Sequence, residues 1–95
     1  MTQFSALLIY PNGLERMLEP KNGKIFQLQE LYELLECEMI EIIPALMPGY
    51  VAVLDEEGKL NPSKFLNTKA TTKIPLHPGD YVVGTMLLCP SKMIE

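Results

Sequence analysis

Apolar residues follow two different rhythms along this chain. Residues Phe4–Tyr10 form an almost continuous apolar run closed by Pro11-Asn12-Gly13, the pattern of a buried central strand ended by a turn. Leu14–Glu19 alternates only in part and carries charge, which predicts a weaker strand joined to the first as a hairpin. From Phe26 to Glu36 the period lengthens. Leu28, Leu31, Tyr32 and Leu35 share one helical face, with Gln27, Glu30 and Glu33 on the other, so an amphipathic helix resting on a sheet is expected.

β-Branched residues return in Met39–Ile43 and Tyr50–Leu54, separated by Pro44 and Pro48-Gly49; two strands joined by a loop fit best. The second run lacks alternation, which predicts cover on both faces. Asp55-Glu56-Glu57-Gly58 reads as a turn in which Gly58 supplies a positive φ. Asn61-Pro62 is a helix-start signal, and a short helix is expected to run to about Ala70, burying Phe65, Leu66 and Ala70. Pro78-Gly79 predicts a type II turn. Tyr81–Leu88 is then the last strand, with Gly84 marking a bulge or close approach and Cys89-Pro90 its end.

The order ββαββαβ predicts an α+β fold in a single domain spanning residues 1–95. Two helices cannot cover both faces of five strands, so the economical packing is a mixed, mostly antiparallel sheet with both helices on one face. Part of the other face would stay open to a partner or a second copy. Homo-oligomerisation is compatible with that arrangement.

Composition narrows the partners more than the fold. With 47% hydrophobic and 21% charged residues the chain is far from the signature of disorder. A net charge of -4 repels a phosphate backbone, so nucleic acid is not an expected partner. Twelve acidic residues against eight basic ones are too sparse for an acidic mimic of DNA. The run Ala6-Leu7-Leu8-Ile9 is too short for a signal or a membrane span, and Cys37 and Cys89 read as free thiols of a reducing compartment. A cytoplasmic protein without membrane contact is expected.

Little in the sequence points to chemistry. His77 is the one histidine and lies in a Leu-His-Pro-Gly turn, and neither cysteine has a nucleophile signature. Cys37, His77 and Cys89 lack zinc-ligand spacing. The Asp55 turn lacks the order of a calcium loop, and no phosphate-cradling glycine motif is present. No metal, cofactor or catalytic residue is expected, and the chain reads as a non-enzyme. Lys59, Lys64, Lys69 and Lys73 recur around the second helix. Lys59, Lys64 and Lys69 with Asn67 could line a site for a small anionic, nucleotide-like ligand, against the plainer reading of a solvated helix face. The acidic stretch Glu30, Glu33, Glu36, Glu38 and Glu41 also reads as solvated.

Several short motifs fall in a familiar order. These are Leu28 with Leu31, then Ile40-Glu41-Ile42-Ile43-Pro44, then Asp55-Glu56-Glu57-Gly58-Lys59-Leu60. Asn67-Thr68-Lys69-Ala70 and Gly79-Asp80-Tyr81-Val82-Val83-Gly84 complete the series. In this the chain resembles a family of short proteins of unknown function encoded by bacteriophages, conjugative elements and bacterial genomes. That family often has Gly-Gly where this chain has Glu36-Cys37, and Asn where it has Asp55. The resemblance implies an accessory protein of a mobile element or its bacterial host, and no activity. It makes Asn67, Ala70 and Glu57 family-like positions, whose plain roles are cap, helix contact and turn. The leading expectation is a module that binds another protein, and the alternative is the small-anion binder.

Overall fold

The computed structural model describes residues 6–94; Phe4 and Ser5 of the expected first strand lie outside the described residues. The elements are β1 (Ala6–Ile9), β2 (Glu15–Leu18), α1 (Leu28–Leu35), β3 (Ile40–Pro44), β4 (Tyr50–Asp55), α2 (Thr68–Thr71) and β5 (Met86–Pro90), with 3-10 turns at Gly58–Leu60 and Ser91–Met93. They build one five-stranded sheet in the order β2-β1-β5-β4-β3, and every pairing is antiparallel. The α+β fold and the element order are as expected; the mixed sheet is not, because β5 enters antiparallel to both β1 and β4 and β3 pairs with its hairpin partner β4.

Two hairpins form the halves of the sheet. Tyr10 and Leu14 close the first around Pro11-Asn12-Gly13, with Gly13 at φ 92° as a three-residue hairpin loop requires. Helix α1 then carries the chain to the far edge, where β3 and β4 pair from Ile40 opposite Asp55 to Pro44 opposite Val51. A long crossover containing α2 brings β5 back between β1 and β4, and all five residues of β5 are buried.

The helices lie on opposite faces. Leu31 and Leu35 of α1 pack with Phe26 onto Ala6, Leu8, Val53, Leu87 and Cys89. Ala70 of α2 packs with Ile74 and Val82 onto Ile9, Ala52, Met86 and Leu88. Those strand residues alternate along β1, β4 and β5, so they belong to the two faces of one sheet. This corrects the expectation of both helices on one face. The long connection between the adjacent antiparallel strands β4 and β5 starts and ends at one end of the sheet, and its apolar residues Ala70, Ile74 and Val82 fold it back over the face that α1 leaves free. Among the described residues, what stays open is the pair of sheet edges.

Helix α1 is also rotated from its expected setting. Leu28 is exposed, whereas Glu30 is buried, its carboxylate accepting hydrogen bonds from the backbone N–H of Gln27 and Lys21. It closes the helix N-terminus instead of facing solvent. At the other end, Cys37 N–H bonds Tyr32 O at 3.1 Å and Glu36 N–H bonds Glu33 O at 3.4 Å, a Schellman ending that needs a left-handed residue. Glu36 takes that conformation at φ 53°, one that glycine adopts without a Cβ penalty.

The second helix starts later than expected. Asn61 does not cap a helix; its Oδ1 accepts from Ser63 N–H and Oγ–H in a local turn. The cap is Asn67. Its Oδ1 accepts from Ala70 N–H at 3.0 Å, while Nδ2 donates to Ile9 O at 2.9 Å and to Gly84 O at 2.8 Å. One fully buried amide thus ties α2 to the end of β1 and to the approach to β5. Phe65 and Leu66, expected inside, are exposed because they precede that helix. The last strand is shifted too: Tyr81–Thr85 contributes only a bridge from Val83 to Leu66, and β5 proper runs through Cys89 to Pro90. Gly84 sits at φ 89° under Lys64, and Gly79 at φ 87° forms the expected turn, with Asp80 N–H bonded to His77 O. Gly58 does not take a positive φ. It is required because a Cβ there would stand 2.8 Å from Val83 O.

Replacing Asn67 by Ala removes a cap and orphans two buried carbonyls, so urea denaturation is expected to show a loss of about 2–4 kcal/mol. Asn67→Asp is expected to lose more at neutral pH, since a carboxylate would face Ile9 O and Gly84 O without a proton to donate. Glu36→Gly is expected to gain about 1 kcal/mol in the same assay by relieving the left-handed conformation.

Candidate binding cleft

The charges of this chain are unevenly placed. From Ile25 to Gly58 there are eight carboxylates and no Lys, Arg or His. This stretch builds α1, β3 and β4, so the fold gathers its negative charge on one half of the sheet. Where α1 turns into β3 and β4 ends, a cleft of about 410 Å³ opens, lined by Glu36, Glu38, Asp55 and Glu57 with Cys37, Leu60, Asn61 and Pro62. Three chain segments supply these residues. The α1 ending brings Glu36–Glu38, the Asx turn in which Asp55 Oδ1 accepts from Glu57 N–H brings the next pair, and the 3-10 turn presents Leu60.

One lysine organises the cleft wall. Lys64 Nζ lies 2.7 Å from Asp55 Oδ2 and donates to Leu35 O at 3.1 Å and Glu36 O at 2.9 Å. It supplies the donors that the last carbonyls of α1 lack. Both side chains of this ion pair are largely buried. Leaving either one alone would strand a desolvated charge, so the pair is structural, and Glu36, Glu38 and Glu57 provide the free negative charge of the cleft. A neighbouring hollow of about 190 Å³ shares Glu36 and is bounded by Leu35, Pro11 and Phe65. Leu60 and Phe65 are 78% and 73% exposed, the two most exposed large apolar side chains among the described residues, and they stand at these two hollows.

The four residues expected to line an anion site are placed apart. Lys59 is ion-paired with Asp80 and lies 4.5 Å over the Tyr81 ring; the hydrogen bond to Asp80 holds its ammonium above the ordinary range, and the same bond holds the Asp80 carboxyl below it. Lys64 serves α1 and Asp55. Lys69 bonds Gly13 O at 2.9 Å and pairs with Glu15 at 3.2 Å. Asn67 is wholly inside. Each lysine therefore joins a different part of the fold, and a carboxylate already holds every one of them.

The profile of a family described as "Domain of unknown function (DUF3846)" matches residues 2–93. This chain belongs to the DUF3846 family. Neither a curated protein nor a solved structure matches it. For this DUF3846 protein the family-like positions have structural roles: Asn67 is a cap, Ala70 a buried helix contact and Glu57 part of the Asp55 turn. Among the described residues no group of three or more His, Cys, Asp or Glu side chains is arranged to hold a metal ion, and no helix is long and apolar enough to cross a membrane.

The thiols are held in their protonated form. Burial pushes Cys37 up, helped by the Asp55 charge and opposed by Lys64. Burial alone pushes Cys89 to about 12 from an ordinary 9.0. Iodoacetamide at pH 8 is accordingly expected to label Cys37 slowly and Cys89 only on unfolding, as followed by mass spectrometry. An unfolded chain ionises Cys89 first, so native stability below pH 9 is lost as pH rises toward 12. The urea midpoint should fall over that range, and less steeply in Cys89→Ala.

Proposed function

We propose that this DUF3846 protein is a non-catalytic accessory protein, serving a mobile element or its bacterial host, that acts by binding another protein. The observation that carries the reading is the acidic cleft flanked by Leu60 and Phe65. Two large apolar side chains held in water each forgo about 1.5–3 kcal/mol that burial would return. Apolar groups rimmed by polar ones mark docking sites on soluble domains. The carboxylates Glu36, Glu38 and Glu57 beside them select a partner that presents cationic side chains. Arginine suits this corner well, because its aliphatic stem can lie along Leu60 and Pro62 while its guanidinium meets a carboxylate through paired hydrogen bonds. A nucleotide-like anion would have to displace Asp80, Asp55 or Glu15 from the lysine it met.

Native mass spectrometry of the untagged chain released from its producing cells is expected to show a second protein at fixed stoichiometry. The double substitution Leu60→Glu and Phe65→Glu changes only exposed positions and should abolish that complex while leaving the thermal midpoint within a few degrees. A bare chain, or a complex indifferent to the double substitution, would contradict the reading. A retained mass of a few hundred daltons would instead favour a small-ligand binder.

A further inference from the structure

The open sheet edge at β3 leads directly into the acidic cleft, and among the described residues no strand pairs with its outer side. Met39 O accepts from Glu56 N–H, and Ala45 N–H donates to Tyr50 O. Between these two bonds the antiparallel register runs from Ile40 opposite Asp55 to Pro44 opposite Val51. Alternation along such a ladder assigns the backbone groups of Glu41 and Ile43 to β4 and turns those of Ile40, Ile42 and Pro44 outward. Two N–H donors and three carbonyls therefore face away from the sheet, since Pro44 has no N–H to give.

Building on the protein-binding reading, we infer that β3 takes its partner as an added antiparallel strand, and that this strand is a basic, extended segment with cationic and β-branched side chains alternating. The edge is β-branched, and Ile42 is 45% exposed, so an apolar side chain placed opposite it has a surface to cover. Glu41 points to the other face, and Glu38 leads from the strand into the cleft. Lys59 shares a hollow with Glu41 but is held by Asp80, so a cation opposite Glu41 adds a pair across the strands.

The same charges argue against a second copy as occupant. The antiparallel register that pairs Ile40 with Ile42 of a second copy sets Glu41 directly opposite Glu41, which is destabilising, and the register centred on Ile42 sets Ile40 opposite Pro44, which has no N–H to return. The other edge of the sheet fits less well. Strand β2 is one residue shorter, and it carries Arg16 beside a Glu15 already held by Lys69.

A short capped peptide alternating arginine and valine provides the probe. Titrated against the whole chain, it is expected to bind and to slow hydrogen exchange at the Ile40 and Ile42 amides. N-methylating the peptide on alternate residues, which blocks strand pairing without changing charge, should weaken it about tenfold or more. Glu41→Lys, an exposed change, should weaken the arginine peptide by a similar factor and improve binding of a glutamate–valine peptide. No binding, equal binding of the N-methylated peptide, or protection elsewhere with Ile40 and Ile42 still exchanging would overturn the strand-addition inference. Each of these results leaves a co-purified partner standing, whereas absence of a partner defeats the protein-binding reading itself.

Discussion

Everything in this fold depends on getting the last strand into the middle of the sheet. The two hairpins β1–β2 and β3–β4 have no contact ladder with each other until β5 enters between β1 and β4. All of β5 is buried, so it must arrive in register with both neighbours at once. The Asn67 amide sets that register. By donating to Ile9 O and Gly84 O and accepting from Ala70 N–H, it fixes the end of β1, the entry to β5 and the start of α2 to one point in the dry interior. A buried amide whose donors are both used is specific in a way that an apolar contact is not, since displacement by an ångström breaks its bonds.

The same crossover that delivers β5 decides which surfaces are left for binding. It covers the sheet face opposite α1, so each face carries a packed apolar cluster. Openness is transferred to the edges and to the corner where α1, β3 and β4 meet. Most of the lysines beyond Gly58 are engaged in holding the crossover down: Lys59 with Asp80, Lys64 with Asp55 and the end of α1, Lys69 with Glu15 and Gly13. The carboxylates of the other half have fewer such partners. A chain with modest net charge thereby presents a strongly acidic corner.

Much of the architecture is legible in the sequence, and the misplacements have specific causes. Pro11-Asn12-Gly13, the helical spacing of Leu31 and Leu35, and the apolar runs at Ile40 and Val51 are local signals, and local signals place the first hairpin, α1 and the second hairpin. Between Lys59 and Thr85 local signals compete. Asn61-Pro62 and Asn67 are both plausible caps, and only the reach of Asn67 to Ile9, far away in sequence, decides between them. Tyr81–Thr85 has strand composition, but Gly84 at φ 89° interrupts it and the pairing moves on to Cys89 and Pro90. Glu30 looks solvated until the backbone of Lys21 is seen to need an acceptor. The cleft was hidden for a similar reason. Its acidic residues are visible, and so is the absence of cations from Ile25 to Gly58, but their convergence with Leu60 is a product of tertiary structure.

Hydrogen exchange of the free protein, read residue by residue, tests the division between a core clasped by Asn67 and an open β3 edge. The Asn67 side-chain amide and the Leu87 and Leu88 backbone amides should exchange only with global unfolding, at one common free energy, while the outward amides of the two edge strands, Ile40 and Ile42 among them, exchange fastest within the sheet. Fast exchange at Asn67 beside a protected β5, or protection of Ile40 and Ile42 in the free chain, would contradict this account.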